Sequence, residues 1–152
     1  MHPLVLDDQL EKSLANLNVK TLDCYYINLP EVLLKSLSHE EFIDQLVNAF
    51  KFLETRIEAN KIKSYGITCW NIGRKLPYSK YHFNFNKIMD QLNIQVGKAH
   101  SFRCVQIPLS VGMPENFCEK YCTSSESGGK FFAKINENRS SFLPLSAARV
   151  GY

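Results

Sequence analysis

The sequence has no uninterrupted apolar segment long enough to cross a bilayer. Its early apolar run, inside MHPLVLDDQL, is four residues long and is followed at once by Asp7 and Asp8. A helical span needs about 20 apolar residues and a secretory core about 7–15, so neither reading fits. Blocks of like charge are also missing. The 18 Lys and Arg against 15 Asp and Glu leave a net charge of +3, scattered along the chain. No nucleic-acid or membrane partner is expected from such a surface. Common zinc spacings are absent as well. The five cysteines are an odd number. Cys118 and Cys122, in CEKYC, lie four apart on one helical face, while Cys24, Cys69 and Cys104 sit in apolar runs as small hydrophobes. We expect no metal site, and reduced thiols in a cytoplasmic protein. There is no internal repeat.

What is present is the composition of a globular domain: 152 residues, 45% hydrophobic and 22% charged. Residues 7–18 carry Leu10, Leu14 and Leu17 at helical spacing, with Asp7 and Asp8 suited to the N-terminus and Asn18 to a left-handed stop. Residues 22–28, rich in aromatic and apolar side chains on both faces, predict a buried strand of a parallel sheet, ending at Asn28 before a Pro-Glu break. Ser38 and Glu41 form a capping box. The helix behind it runs to about residue 59 with Phe42, Leu46, Phe50, Leu53 and Ile57 as its apolar stripe, and Asn60 ends it. A second strand follows over 64–70, where Gly66 marks the close approach of a neighbour. A loop, a helix over 85–92 and a third strand within 100–108 complete the series. Beyond it, 113–122 is expected as a helix, TSSESGGK has linker composition, and 123–152 is expected as a flexible or poorly packed tail after a domain spanning 1–122.

Helices alternating with strands predict an α/β fold with parallel pairing, and ligands on such sheets bind beyond the carboxyl ends of the strands. Here those ends are Asn28, Trp70-Asn71 and the stretch from Gln106.

The runs LEKSLANLNVKTLDCYYINLPE and NKIKSYGITCWN, with the helix between them, carry a resemblance. In order and separation they are similar to the aldo-keto reductases, across residues 10–108. The resemblance implies strands four to six of a (β/α)8 TIM barrel, hence a partial, truncated barrel, since a complete one needs about 250 residues. It implies NADP as cofactor and a small-molecule carbonyl substrate, reduced by hydride transfer. Asn28 stands at the family's histidine position, where an amide still donates a hydrogen bond but does not titrate. Thr68 and Cys69 match the Ser-Asn pair that holds the nicotinamide carboxamide; Asn71 is a candidate to replace the lost amide. Gln106 matches the sixth-strand glutamine. The family's aspartate, tyrosine and lysine belong to earlier strands, and its loop for the 2′-phosphate has no match here. Tyr25 and Tyr26 are expected as packing residues. The alternative is a non-catalytic half-barrel that acts as a binding module, including self-association through open sheet edges.

Overall fold

The computed structural model describes residues 2–72, 75, 78–108 and 141–145. Helix α1 spans Pro3–Leu17, strand β1 Tyr25–Asn28, a 3-10 turn Pro30–Lys35, helix α2 His39–Glu58, strand β2 Tyr65–Thr68, helix α3 Phe85–Gln95, strand β3 Phe102–Pro108 and strand β4 Ser141–Leu145. The strands form one sheet in the order β1-β2-β3-β4, every pair parallel. The expected α/β class with strands alternating with helices is present. The helix expected over 113–122, with Cys118 and Cys122, lies outside the described residues. So does the segment 123–152, apart from β4, which pairs with β3 rather than standing apart as tail.

Local chemistry explains the element boundaries. α1 begins earlier than Asp7: His2 caps it, Nδ1 accepting from the Leu4 amide at 3.3 Å, and Pro3 occupies the first helical position, where its missing N–H costs nothing. Asp7 and Asp8 instead pair with Arg56 at 2.9 Å and Lys12 at 2.6 Å. The earlier start also moves the apolar stripe to Leu6, Leu10 and Leu14 and leaves Leu17 exposed. Asn18 ends the helix in the left-handed region at φ 53°. For α2 the capping box is complete: the Glu41 carboxylate accepts from the Ser38 amide at 2.9 Å, and the Ser38 hydroxyl accepts from the Glu41 amide at 3.3 Å. Asn60, at φ 55°, follows its end.

β1 is shorter than the apolar run that contains it. Leu22 still bridges Ile62, but the exposed Asp23, bound to Lys63 at 2.7 Å, interrupts the ladder before Tyr25. Tyr25, Ile27, Tyr65, Ile67, Cys69, Phe102, Val105 and Ile107 are buried on the helix side of the sheet. There Phe50 of α2 packs 5.3 Å from both Tyr65 and Phe102, and Phe85 of α3 reaches Phe102 at 6.2 Å. The alternate residues, Tyr26, Asn28, Gly66, Thr68, Cys104 and Gln106, point to the other face. That face is not covered on both sides as the apolar run predicted: Asn28 is exposed and Tyr26, Thr68 and Gln106 are half-buried. Among the described residues, no helix is long and apolar enough to cross a membrane.

A bulge decides which face Gln106 occupies. Tyr65 pairs with Phe102, but Gly66 pairs with Cys104, so Arg103 is an extra residue in β3. Its guanidinium folds back to the carbonyls of His100 at 2.6 Å and Phe102 at 2.8 Å. Because side chains alternate with period two, unbulged pairing after Phe102 would turn Gln106 toward the helices. With the bulge, Gln106 shares a face with Thr68. Gly66 permits this register: a Cβ there would lie 2.1 Å from the Cys104 carbonyl oxygen.

Candidate functional site

Parallel register brings three of the sequence-derived residues into one row at the carboxyl ends of the strands. Asn28 pairs with Thr68, and Thr68 with Gln106. The Thr68 hydroxyl donates to Gln106 Oε1 at 2.8 Å. This leaves the Gln106 amide N–H groups and the Thr68 oxygen lone pairs for another partner. The rim is held by backbone bonds: the Leu29 amide donates to the Thr68 carbonyl at 2.8 Å and the Cys69 amide to the Gln106 carbonyl at 2.9 Å.

Directly after Asn28, Leu29 adopts φ 49°, a left-handed conformation that a branched, bulky residue takes at a cost of about 1–2 kcal/mol. The bend turns the chain into the Pro30–Lys35 segment and leaves Asn28 as the last residue of the strand.

Cys69 is not part of the row. It lies on the helix side, fully buried, and burial, followed by the charge of Glu31, pushes its thiol well above the ordinary range. Asn71 sits half-buried in the turn after β2, outside the row. Tyr26 is on the open face, two residues before Asn28; burial, then its contact with Cys104, pushes its phenol upward. Cys24 is pushed up to about 11, chiefly by burial. None of these groups is an anion at neutral pH, so this face offers hydrogen bonds rather than a nucleophile.

Glu31 is a residue that the sequence did not single out. It is 5% exposed, and its Oε1 accepts from the Trp70 amide at 2.6 Å, tying the segment after β1 to the one after β2. Its Oε2 has no partner among the described residues. An acidic residue following Pro30 reads as an ordinary first-turn residue, and nothing local in the sequence signals that it is buried.

Beside β1 lies a groove of about 500 Å³ walled by α1 and the strand edge, including Val5, Leu6, Tyr26, Asn28, Pro30 and Val32. The amides of Tyr25 and Leu29 bond toward β2, so by alternation those of Tyr26 and Asn28 face this edge. Among the described residues, no three His, Cys, Asp or Glu side chains are grouped to hold a metal ion. No protein-family model matches the chain, and no curated protein matches it.

Proposed function

We propose that the open face of the sheet binds the nicotinamide end of an NADP-type cofactor, as part of an aldo-keto-reductase-like barrel acting on small carbonyl compounds. The observation that carries the reading is the row Asn28, Thr68, Gln106 in register on adjacent parallel strands. A carboxamide needs one donor and one acceptor. Gln106 Nε2 offers the donor and the Thr68 hydroxyl oxygen the acceptor, with their mutual 2.8 Å bond setting the spacing. The strand order supports the barrel: β1-β2-β3-β4 runs without the reversal that marks a doubly wound sheet. Reduced nicotinamide supplies a hydride when bound. Asn28, exposed at the strand end, donates from its amide to a carbonyl oxygen and so orients and polarises the substrate. It orients the substrate and transfers no proton. We place the protein in the cytosol, where the free thiols of Cys24, Cys69 and Cys104 stay reduced.

Trp70 provides the test. It is the single tryptophan, 43% exposed and two residues beyond Thr68. Its emission overlaps the absorption of reduced nicotinamide, so titration with NADPH quenches it saturably. Absence of quenching, together with absence of carbonyl-dependent NADPH oxidation, overturns the reading.

The groove beside β1 favours a second reading, pairing of two copies through that edge. Among the described residues no strand pairs with the outward backbone groups of Tyr26 and Asn28, which suit an added strand, and an antiparallel β1–β1 contact is self-complementary. Sedimentation equilibrium distinguishes the two: a monomer at all concentrations excludes the edge pairing and leaves the cofactor reading untouched.

A further inference from the structure

We propose that the cavity between the first turns of α2 and α3 is a binding site for a small oxyanion of the phosphate type. The cavity measures about 150 Å³ and is lined by His39, Phe42, Ile43, His82, Asn84 and Lys87. That volume is enough for a small tetrahedral oxyanion. Lys87 brings a positive charge to the lining, His39 and His82 bring imidazole rings, and none of the lining side chains is acidic.

These groups are available to a ligand. Lys87, 49% exposed, has Glu40 as its nearest carboxylate at 4.0 Å, and Glu40 is itself 86% exposed. An ion pair that loose and that wet contributes little. The other acid of the turn, Glu41, is committed to Ser38 through bonds of 2.9 Å and 2.8 Å. His82 is oriented from behind: its Nδ1 donates to the Lys75 carbonyl oxygen at 2.8 Å, which leaves Nε2 of the neutral ring as an acceptor for the hydroxyl of a protonated phosphate. His39 lines the cavity beside them; its Nε2 is closed off from solvent and has no hydrogen-bond partner among the described residues. The amide ends of the two helices add partial positive charge, but the side-chain cluster is what marks the site. α2 is the first α-helix after β1 and α3 the first after β2. The site stands independently of the nicotinamide reading.

The test titrates inorganic phosphate into the ¹⁵N-labelled full chain at fixed ionic strength, following the imidazole resonances of His39 and His82 and the amide of Lys87. The expected result is a common saturating curve for all three. Lys87→Met, at a side chain exposed enough not to disturb folding, weakens binding roughly tenfold, the loss of one charged hydrogen bond. His82→Gln weakens it by a similar factor, and acetate binds at least as weakly as phosphate does to these variants. Linear, non-saturating shifts, unchanged binding by Lys87→Met, or equal binding of acetate and phosphate would each overturn the proposal.

Discussion

Gly66→Ala is the substitution that most sharply tests the geometry around the site. An added Cβ would lie 2.1 Å from the Cys104 carbonyl oxygen and 2.8 Å from the carbonyl carbon. An ordinary carbon–oxygen contact is about 3.3 Å, so the shortfall is roughly 1.2 Å. Strands in a sheet are about 4.8 Å apart, and the obstruction is backbone, which no rotamer change relieves. β2 and β3 must therefore separate, or the bulge at Arg103 must be lost. Inserting one methyl group into a filled interior costs about 1–3 kcal/mol, and a rigid obstacle of this size belongs at the upper end or beyond. Taking about 3 kcal/mol and a urea m-value of roughly 2 kcal/mol/M, the midpoint falls by about 1.5 M. Trp70 emission during urea titration measures it. Two controls isolate the cause. Gly97→Ala, at φ 102° with nothing within 4 Å, carries only the left-handed backbone cost of about 1–2 kcal/mol. Cys104→Ala in the Gly66→Ala background gives no rescue, because the nearest atom is the carbonyl oxygen and not the thiol. A Gly66→Ala midpoint within about 0.25 M of the wild type, or about 0.5 kcal/mol, would refute the close approach and the register built on it.

Two further outcomes follow from local chemistry. Ser38→Ala removes one half of the capping box and costs about 1 kcal/mol, measured as the shift in urea midpoint; no change would mean that the reciprocal bonds contribute nothing in solution. His100 is buried, and burial, followed by the positive charge of Arg103, holds its folded-state pKa below 6.5. The unfolded chain then binds the extra proton, so stability is full above the unfolded value near 6.5 and falls as pH drops below it. Comparing His100→Asn with the wild type from pH 7 to pH 5 checks this: the variant's stability should decline less steeply, and parallel curves would remove His100 as the cause.

The parts of the fold that were legible in the sequence are those fixed by near neighbours. Ser38 and Glu41, and the left-handed Asn18 and Asn60, announce helix ends through bonds within one turn. The apolar stripe Phe42, Leu46, Phe50, Leu53 needs only its own periodicity to declare a buried face. Strand boundaries were less legible, because Asp23 breaks the β1 ladder through its charge while the residues on both sides remain apolar. The start of α1 was misplaced onto Asp7, although Pro3 carried a usable signal. Period-two alternation alone separates Cys69 from Thr68, so the exclusion of Cys69 from the open face was readable. The bulge at Arg103 was not, since an extra residue in β3 exists only relative to β2. Gly66 hinted at a close neighbour without saying which one. Glu31 was illegible for a different reason: its hydrogen-bond partner is the amide of Trp70, which is distant in the chain.

The row on the open face is the centre of the account, and calorimetric titration of NADPH into the wild type, Thr68→Val, Gln106→Leu and the double variant tests it most directly. Each single substitution removes about one neutral hydrogen bond, so each should weaken binding roughly 3- to 10-fold. Because the Thr68 hydroxyl and Gln106 Oε1 are 2.8 Å apart, the double variant should lose less than the sum of the singles. Wild-type binding that neither substitution changes, or no binding of NADPH by the wild type at all, would contradict the assignment of this face as the nicotinamide site.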